Sequence, residues 1–111
     1  MANTNQKESD IQNSICEYLQ VKKHFFFRLN NIPAFSKQKD GSVRMRRLPK
    51  FTPKGLPDIV VVKDGFFIGL EVKRPKTYQS KEQKELEKEL KEAGAEYYVV
   101  RSIDDLVEIG L

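Results

Sequence analysis

Cysteine is nearly absent. Cys16 stands alone in 111 residues, so no disulfide can form within the chain, and such a chain is compatible with a reducing cytosol. Long apolar runs are missing as well. The longest, "IVVV" and "FFIGL", fall far short of the roughly 20 residues needed by a membrane-crossing helix, so no membrane role is expected. The opening stretch, "MANTNQKESD", is polar and lacks the apolar core of a secretory signal. There is no internal repeat, which argues against a solenoid or a propeller. What the chain does have is charge. Lys and Arg number 20 against 16 Asp and Glu, giving a formal net charge of +4 and a sequence pI of about 9.2. That balance is compatible with a polyanionic partner without requiring one. The length suits one domain with one core, residues 1–111.

Hydrophobic periodicity organises the chain. Ile11, Ile15, Tyr18 and Leu19 recur at helical spacing and predict a helix from about Gln6 to Val21. Asn5 would cap it, with Glu8 three residues on as its capping-box partner. "HFFFRLN" predicts a strand over Phe25–Asn30. The following stretch to Lys54 is polar, basic and broken by Pro33, Asp40-Gly41, Pro49 and Pro53. Within it "SVRMRRL" roughly alternates and predicts a short strand, Ser42–Leu48; the rest reads as loop. "IVVV" and "FFIGLEVK" flank Asp64-Gly65, the signal for a hairpin with a two-residue type I′ turn. Both faces of these strands are largely apolar, so the sheet should be covered on both sides. Ser80 caps a second helix with Gln83 as box partner; Leu86, Leu90 and Ala93 form its buried face, and Gly94 fits the C′ position. "AEYYVVR" predicts a strand, and "SIDDLVEI" a last helix capped by Ser102. A strand–helix–strand crossover implies one parallel pair. The fold class is α/β with a mixed sheet.

The hairpin can be counted outward from its turn. With Asp64-Gly65 as loop residues, Lys63 pairs with Phe66, Val62 with Phe67, Val61 with Ile68, Val60 with Gly69 and Ile59 with Leu70. One further step sets Asp58 opposite Glu71. Directly opposed Cβ atoms lie about 4.5–5.5 Å apart, a distance at which two carboxylates repel. A hard divalent cation such as Mg²⁺ turns that repulsion into a binding site, since it takes carboxylates, waters and substrate phosphate as oxygen ligands. Lys73 points to the same side as Glu71, where an ammonium would hold or polarise a water or neutralise charge on a phosphorane. Val72 points into the core and leaves its carbonyl as a further oxygen ligand. The plain alternative is that Asp58 opens a strand and Glu-Val-Lys lies on a solvated edge.

Asp58, then thirteen residues on Glu71-Val72-Lys73, resembles the PD-(D/E)XK nuclease signature, with Pro57-Asp58 as its literal first half. The ordered set "GLPDI", "LEVKRP", "SKEQ", "AGAEYYVVRS" and "DDL" is similar to the VRR-NUC branch, the virus-type replication-repair nucleases. The resemblance runs from Gly55 to Leu106 and is thinner over the first helix. It implies a restriction-endonuclease-like core, a mixed sheet flanked by helices, and a Mg²⁺- or Mn²⁺-dependent phosphodiesterase. Asp58 and Glu71 would be the metal carboxylates, the Val72 carbonyl an extra ligand, and Lys73 the catalytic lysine. Gln83 matches the family's glutamine after the core motif, and Glu8 the acidic residue on its first helix, with Glu17 as a competitor. Single-domain members resemble junction-resolving homodimers acting on four-way (Holliday) junction DNA. Such an enzyme would suit a phage or prophage gene and the cytoplasm of a bacterial or infected cell.

Cationic residues bracket the proposed site. Arg44, Arg46, Arg47, Lys50 and Lys54 precede Asp58, and Arg74 and Lys76 follow Lys73. Phosphate contacts from such residues give affinity and orientation without reading sequence. Phe35 and Phe51 either stack on unpaired bases or pack in the core; Arg28 and Asn30 are further candidates for the groove. The sign-alternating "SKEQKELEKELKEAG" reads as a solvated helix face. The expected activity is therefore a metal-dependent, structure-selective DNA endonuclease on branched DNA. The alternatives are a nuclease of flaps, nicks or single strands, a DNA-binding module without catalysis, and a basic protein-interaction module.

Overall fold

A turn of two residues sets the register of the central hairpin, and the chain adopts the register counted from it. The computed structural model of the chain describes residues 7–29, 35–45 and 50–111. The hairpin pairs β4 (Ile59–Lys63) with β5 (Phe66–Val72), antiparallel, from Lys63↔Phe66 to Ile59↔Leu70. Asp64 (φ 53°) and Gly65 (φ 83°) are both left-handed, as a type I′ turn requires. Helix α1 (Glu8–Val21) and strand β1 (Phe25–Arg28) come first; β1 lies antiparallel to β4 on its other side. After the hairpin, α2 (Lys81–Glu92) crosses over to β6 (Glu96–Val100), which runs parallel to β5, and α3 (Ile103–Glu108) ends the chain. The mixed four-stranded sheet has the order β1-β4-β5-β6. Among the described residues, no helix is long and apolar enough to cross a membrane.

Side-chain alternation assigns the two faces. Ile59 and Val61 of β4, Ile68, Leu70 and Val72 of β5 and Val100 of β6 meet Ile11, Ile15 and Leu19 of α1 and Leu106 of α3 in one buried cluster. This is the larger core. The opposite face carries Val60, Gly69, Glu71 and Tyr97, with α2 packed over β6 and contributing the buried Leu86. Toward β1 that face stays open: Phe25, Phe27 and Val62 are exposed, and the two rings meet edge to face at 6.4 Å.

Several local expectations differ in detail. The first helix starts at Glu8 with Lys7 as N-cap; Lys7 donates its N–H to the Asp10 carboxylate (3.4 Å), so Asp10 rather than Glu8 is the return partner. Asn5, the expected cap, lies outside the described residues. A strand missing from the sequence reading, β2 (Phe35–Lys37), pairs antiparallel with β3 (Val43–Met45) as a separate two-stranded sheet around Asp40-Gly41. Asn30 and the last part of the expected 42–48 strand lie outside the described residues. Ser80 caps α2 as expected, its hydroxyl accepting the Gln83 N–H at 3.1 Å. Ala93, expected in the buried face, is instead the exposed C-cap. Gly94 (φ 95°) follows it, with its N–H bonded to the Lys91 carbonyl and that of Ala95 to the Leu90 carbonyl, a Schellman termination. Ser102 is the N-cap of α3 but its hydroxyl makes no capping bond; the nearby Asp105 carboxylate takes the Arg101 N–H instead, at 2.7 Å.

Gly69 is small for a packing reason. A Cβ there would meet Pro57 Cγ at 2.9 Å and Tyr97 Cδ2 at 3.4 Å. Gly69→Ala should therefore destabilise the protein by about 1–3 kcal/mol, the range for overpacking. Chemical denaturation checks it; unchanged stability would mean that Pro57 and Tyr97 yield without strain.

Candidate active site

The strand end builds the site. Lys73 donates its N–H to Val100 on the β6 side (3.0 Å), so the even-numbered residues of β5 direct theirs toward β4. Beyond Ile59↔Leu70, the next narrow pair on that side would join Val72 to Pro57, which has no N–H to give. The ladder ends there and the Asp58 side chain replaces it: Asp58 Oδ2 accepts the Val72 N–H at 2.8 Å. The Asp58 N–H meanwhile goes to the Leu70 carbonyl (3.1 Å). One strand residue turns its N–H and C=O to the same side, so the Val72 carbonyl also faces the Asp58 side.

Glu71 is 1% exposed, the one buried charged residue among those described. Its carboxyl is held by two donors. Gln83 Nε2 donates to Oε1 at 2.8 Å and the Tyr97 hydroxyl to Oε2 at 3.3 Å. Lys73 Nζ stands 4.0 Å from Oε1. Burial and the neighbouring Asp58 carboxylate push the Glu71 carboxyl up to about 9, against weaker opposing pulls from Lys73 and Tyr97. This raised proton affinity lessens the repulsion between Glu71 and Asp58. Tyr97 rises too, through burial and then the Glu71 carboxyl beside it.

Gln83 serves two structures at once. Its Oε1 accepts the Ser80 N–H (2.9 Å), closing the capping box, while its Nε2 reaches Glu71. The cap therefore fixes which way the amide faces. Gly55 (φ 83°) lies directly against this turn; a Cβ there would fall 2.6 Å from the Glu82 carbonyl oxygen and 2.8 Å from the Gln83 nitrogen. The expected capping role of Gln83 is present, and the same side chain also contacts Glu71.

Glu8 is half-buried at the start of α1. Burial raises its carboxyl above the usual range, Lys73 and Arg74 lower it, and Asp58 raises it. The helix thus carries Glu8 to the same charged centre, whereas Glu17 is exposed. Among the described residues, however, no three His, Cys, Asp or Glu side chains close into a cluster that could hold a metal ion. The structure brings Asp58, Glu71, Lys73 and Gln83 together, with the Val72 carbonyl facing them and Glu8 in electrostatic reach.

Of the cationic residues, Lys50, Lys54, Arg74 and Lys76 are exposed on the segments before Asp58 and after Lys73. Arg44 lies on β3 opposite Ser36, while Arg46 and Arg47 lie outside the described residues. Arg28 is tied to α1, donating to Gln12 Oε1 at 3.0 Å and Asn13 Oδ1 at 3.4 Å. Phe51 does not pack in the core: it is 93% exposed, with Lys50 Nζ 5.3 Å over its ring. Tyr97 is a partner of Glu71 that the sequence alone does not announce. Its signal was available, since a parallel β5–β6 pair places Tyr97 beside Gly69, but only once the register Gly69↔Tyr97 is known.

No protein-family model and no curated protein matches the sequence. Solved structures do. One described as "VRR_NUC domain" is 21% identical with a TM-score of 0.64, covering 99% of this chain and 100% of its own. Another, "VRR_NUC domain protein", is 17% identical with a TM-score of 0.57, covering 94% of this chain and 84% of its own. The likeness is one of fold: a mixed sheet flanked by helices, shared with those structures over nearly the whole chain.

Two expectations follow from this geometry. A carboxyl whose pKa is raised by folding stabilises the protein below its unfolded value, near 4.5, and that contribution is lost as pH rises through the folded value, about 9. Thermal melts in EDTA should therefore show the parent losing stability relative to Glu71→Gln as pH climbs across that window; a constant difference would mean Glu71 is ionised throughout. Tyr97→Phe should destabilise by about 0.5–1.5 kcal/mol, the net worth of one hydrogen bond, and Glu71→Gln should shrink that loss in a double-mutant cycle. Strict additivity would mean that the hydroxyl and Glu71 do not interact.

Proposed function

We propose that this chain is a divalent-metal-dependent nuclease that cuts phosphodiester bonds in DNA, with branched DNA such as four-way junctions as its preferred substrate. The observation that carries the reading is the Asp58–Glu71 pair: two carboxyls at one strand end, one of them buried, with Lys73 beside them. A buried acid is stabilising only when paired or neutral, and a site offering only oxygen ligands suits a hard cation such as Mg²⁺ or Mn²⁺. Asp58, Glu71 and the Val72 carbonyl would hold the ion, with Glu8 behind them. A bound divalent ion supplies charge neutralisation at the phosphodiester oxygens. Gln83 and Tyr97 keep the Glu71 carboxyl in one orientation. The Lys73 ammonium stands where it would stabilise negative charge on the phosphoryl group. Lys50, Lys54, Arg74 and Lys76, together with Arg44, Arg46 and Arg47, would take neighbouring phosphates. Symmetric resolution of a junction needs two such sites, which a C₂ homodimer supplies most simply. The setting that fits is the cytoplasm of a bacterial or phage-infected cell.

One gel comparing four-way junction, flap, duplex and single strand tests the reading. Cleavage should require Mg²⁺ or Mn²⁺ and stop in EDTA; full activity in EDTA, or none on any substrate with Mn²⁺, would overturn it. Lys73→Ala should leave DNA binding nearly intact and lower turnover by about 10²–10³-fold, as for loss of one charge-stabilising donor. Lys54→Ala or Lys76→Ala should instead weaken binding and reduce its salt slope by about 1. Sedimentation with junction DNA should show two protomers per junction; a monomer both free and bound would exclude the dimer.

A further inference from the structure

Residues 73–80 join β5 to α2, and most of this connection is fastened down. The Lys73 N–H is bonded to Val100 at its start. Thr77 folds back on Arg74 twice, its N–H and its hydroxyl both donating to the Arg74 carbonyl at 3.1 and 2.7 Å. Arg101, the residue after Val100, donates from its guanidinium to the Thr77 carbonyl at 2.8 Å. Tyr78 comes next, and it does not turn inward: it is 75% exposed. The Arg101 guanidinium lies over its ring, 5.9 Å from the centroid. A large aromatic ring is thus held out in solvent, backed by a cation, on a loop tied through Val100 to Lys73. Core packing does not account for it.

We propose that Tyr78, backed by Arg101, is a stacking platform for an unpaired base of the DNA strand that passes Lys73. The proposal rests on the nuclease reading above and concerns branch points at which nucleotides beside the scissile phosphate come unpaired. Three physical points carry it. Base–aromatic stacking is tolerant of sequence and strong enough to shape binding. A ring backed by a guanidinium on a hydrogen-bonded loop loses less freedom on stacking than one on a free loop, and the cation draws the backbone phosphate. Bases inside an intact duplex are stacked on one another, so only splayed nucleotides are free to use the ring. The other flank repeats the arrangement: Phe51, on the segment leading to Asp58, is also exposed with a cation, Lys50, over its ring. The two rings sit on the two segments that bracket the carboxylate pair.

The test uses the full chain in EDTA, so that binding is read without cleavage. A forked duplex carrying 5-iododeoxyuridine in its unpaired arm is bound and irradiated, and the crosslinked residue is mapped by mass spectrometry. The crosslink should fall on Tyr78. Tyr78→Leu should weaken binding to the fork and to single strand by about five- to tenfold and leave duplex affinity unchanged, while Tyr78→Trp retains the parent's preference. Crosslinks confined to other residues, or equal losses on fork and duplex, would overturn the platform. Failure of the nuclease reading looks different: DNA would be bound and crosslinked at Tyr78, yet no substrate would be cut with Mn²⁺. A protein that binds no DNA at all overturns both.

Discussion

The burial of one carboxyl group, Glu71, beside another, Asp58, is the constraint around which the described structure is arranged. Removing a carboxyl from water is expensive unless it is neutralised or richly hydrogen-bonded. The chain uses both means. Gln83 and Tyr97 supply donors, Lys73 supplies a charge, and the high proton affinity of Glu71 supplies the rest. Each supporting residue then has needs of its own. Tyr97 can approach only because position 69 is glycine, and Gln83 is in range only because the Gly55 backbone packs tightly on its helical turn.

The two faces of the sheet divide the labour. One is an ordinary apolar core, where α1 and α3 lie on alternate residues of β4, β5 and β6. The other carries the polar centre under the start of α2. Because alternation along a strand has a period of two, Glu71 can face the polar centre while its neighbours Leu70 and Val72 remain fully buried in the apolar one. Stability and chemistry thus share a strand without sharing a face.

Much of this was legible in the sequence. Asp64-Gly65 dictates a type I′ turn, and that turn fixes the pairing of every residue out to Ile59↔Leu70. Asp58 and Glu71 can therefore be placed together by counting alone, and Ser80 with Gln83 announces the start of the helix whose first turn contacts Glu71. The losses have physical causes. Tyr97 depends on the register of a parallel pair whose connection is a helix, and no turn sets that register. Strand β2 has only three residues, too few for alternation to declare itself. Asn5 is the better capping residue by type, yet α1 begins after Lys7 and leaves Glu8 uncommitted to the cap. Hydrophobicity alone would send Phe51 to the core, but its left-handed backbone (φ 68°) and 93% exposure place it on a surface segment.

The double duty of Gln83 has a thermodynamic corollary. Helix ends fray more readily than whole domains melt, and the first turn of α2 is closed by the same amide that orients Glu71. Each excursion of that turn also withdraws a donor from the buried acid. The free energy of local opening at Ser80–Gln83 therefore bounds the fraction of molecules in which the polar centre is fully bonded, and that bound lies below the stability of the fold as a whole. The completeness of the centre thus depends on a helix cap on the face opposite the apolar core that α1 and α3 cover.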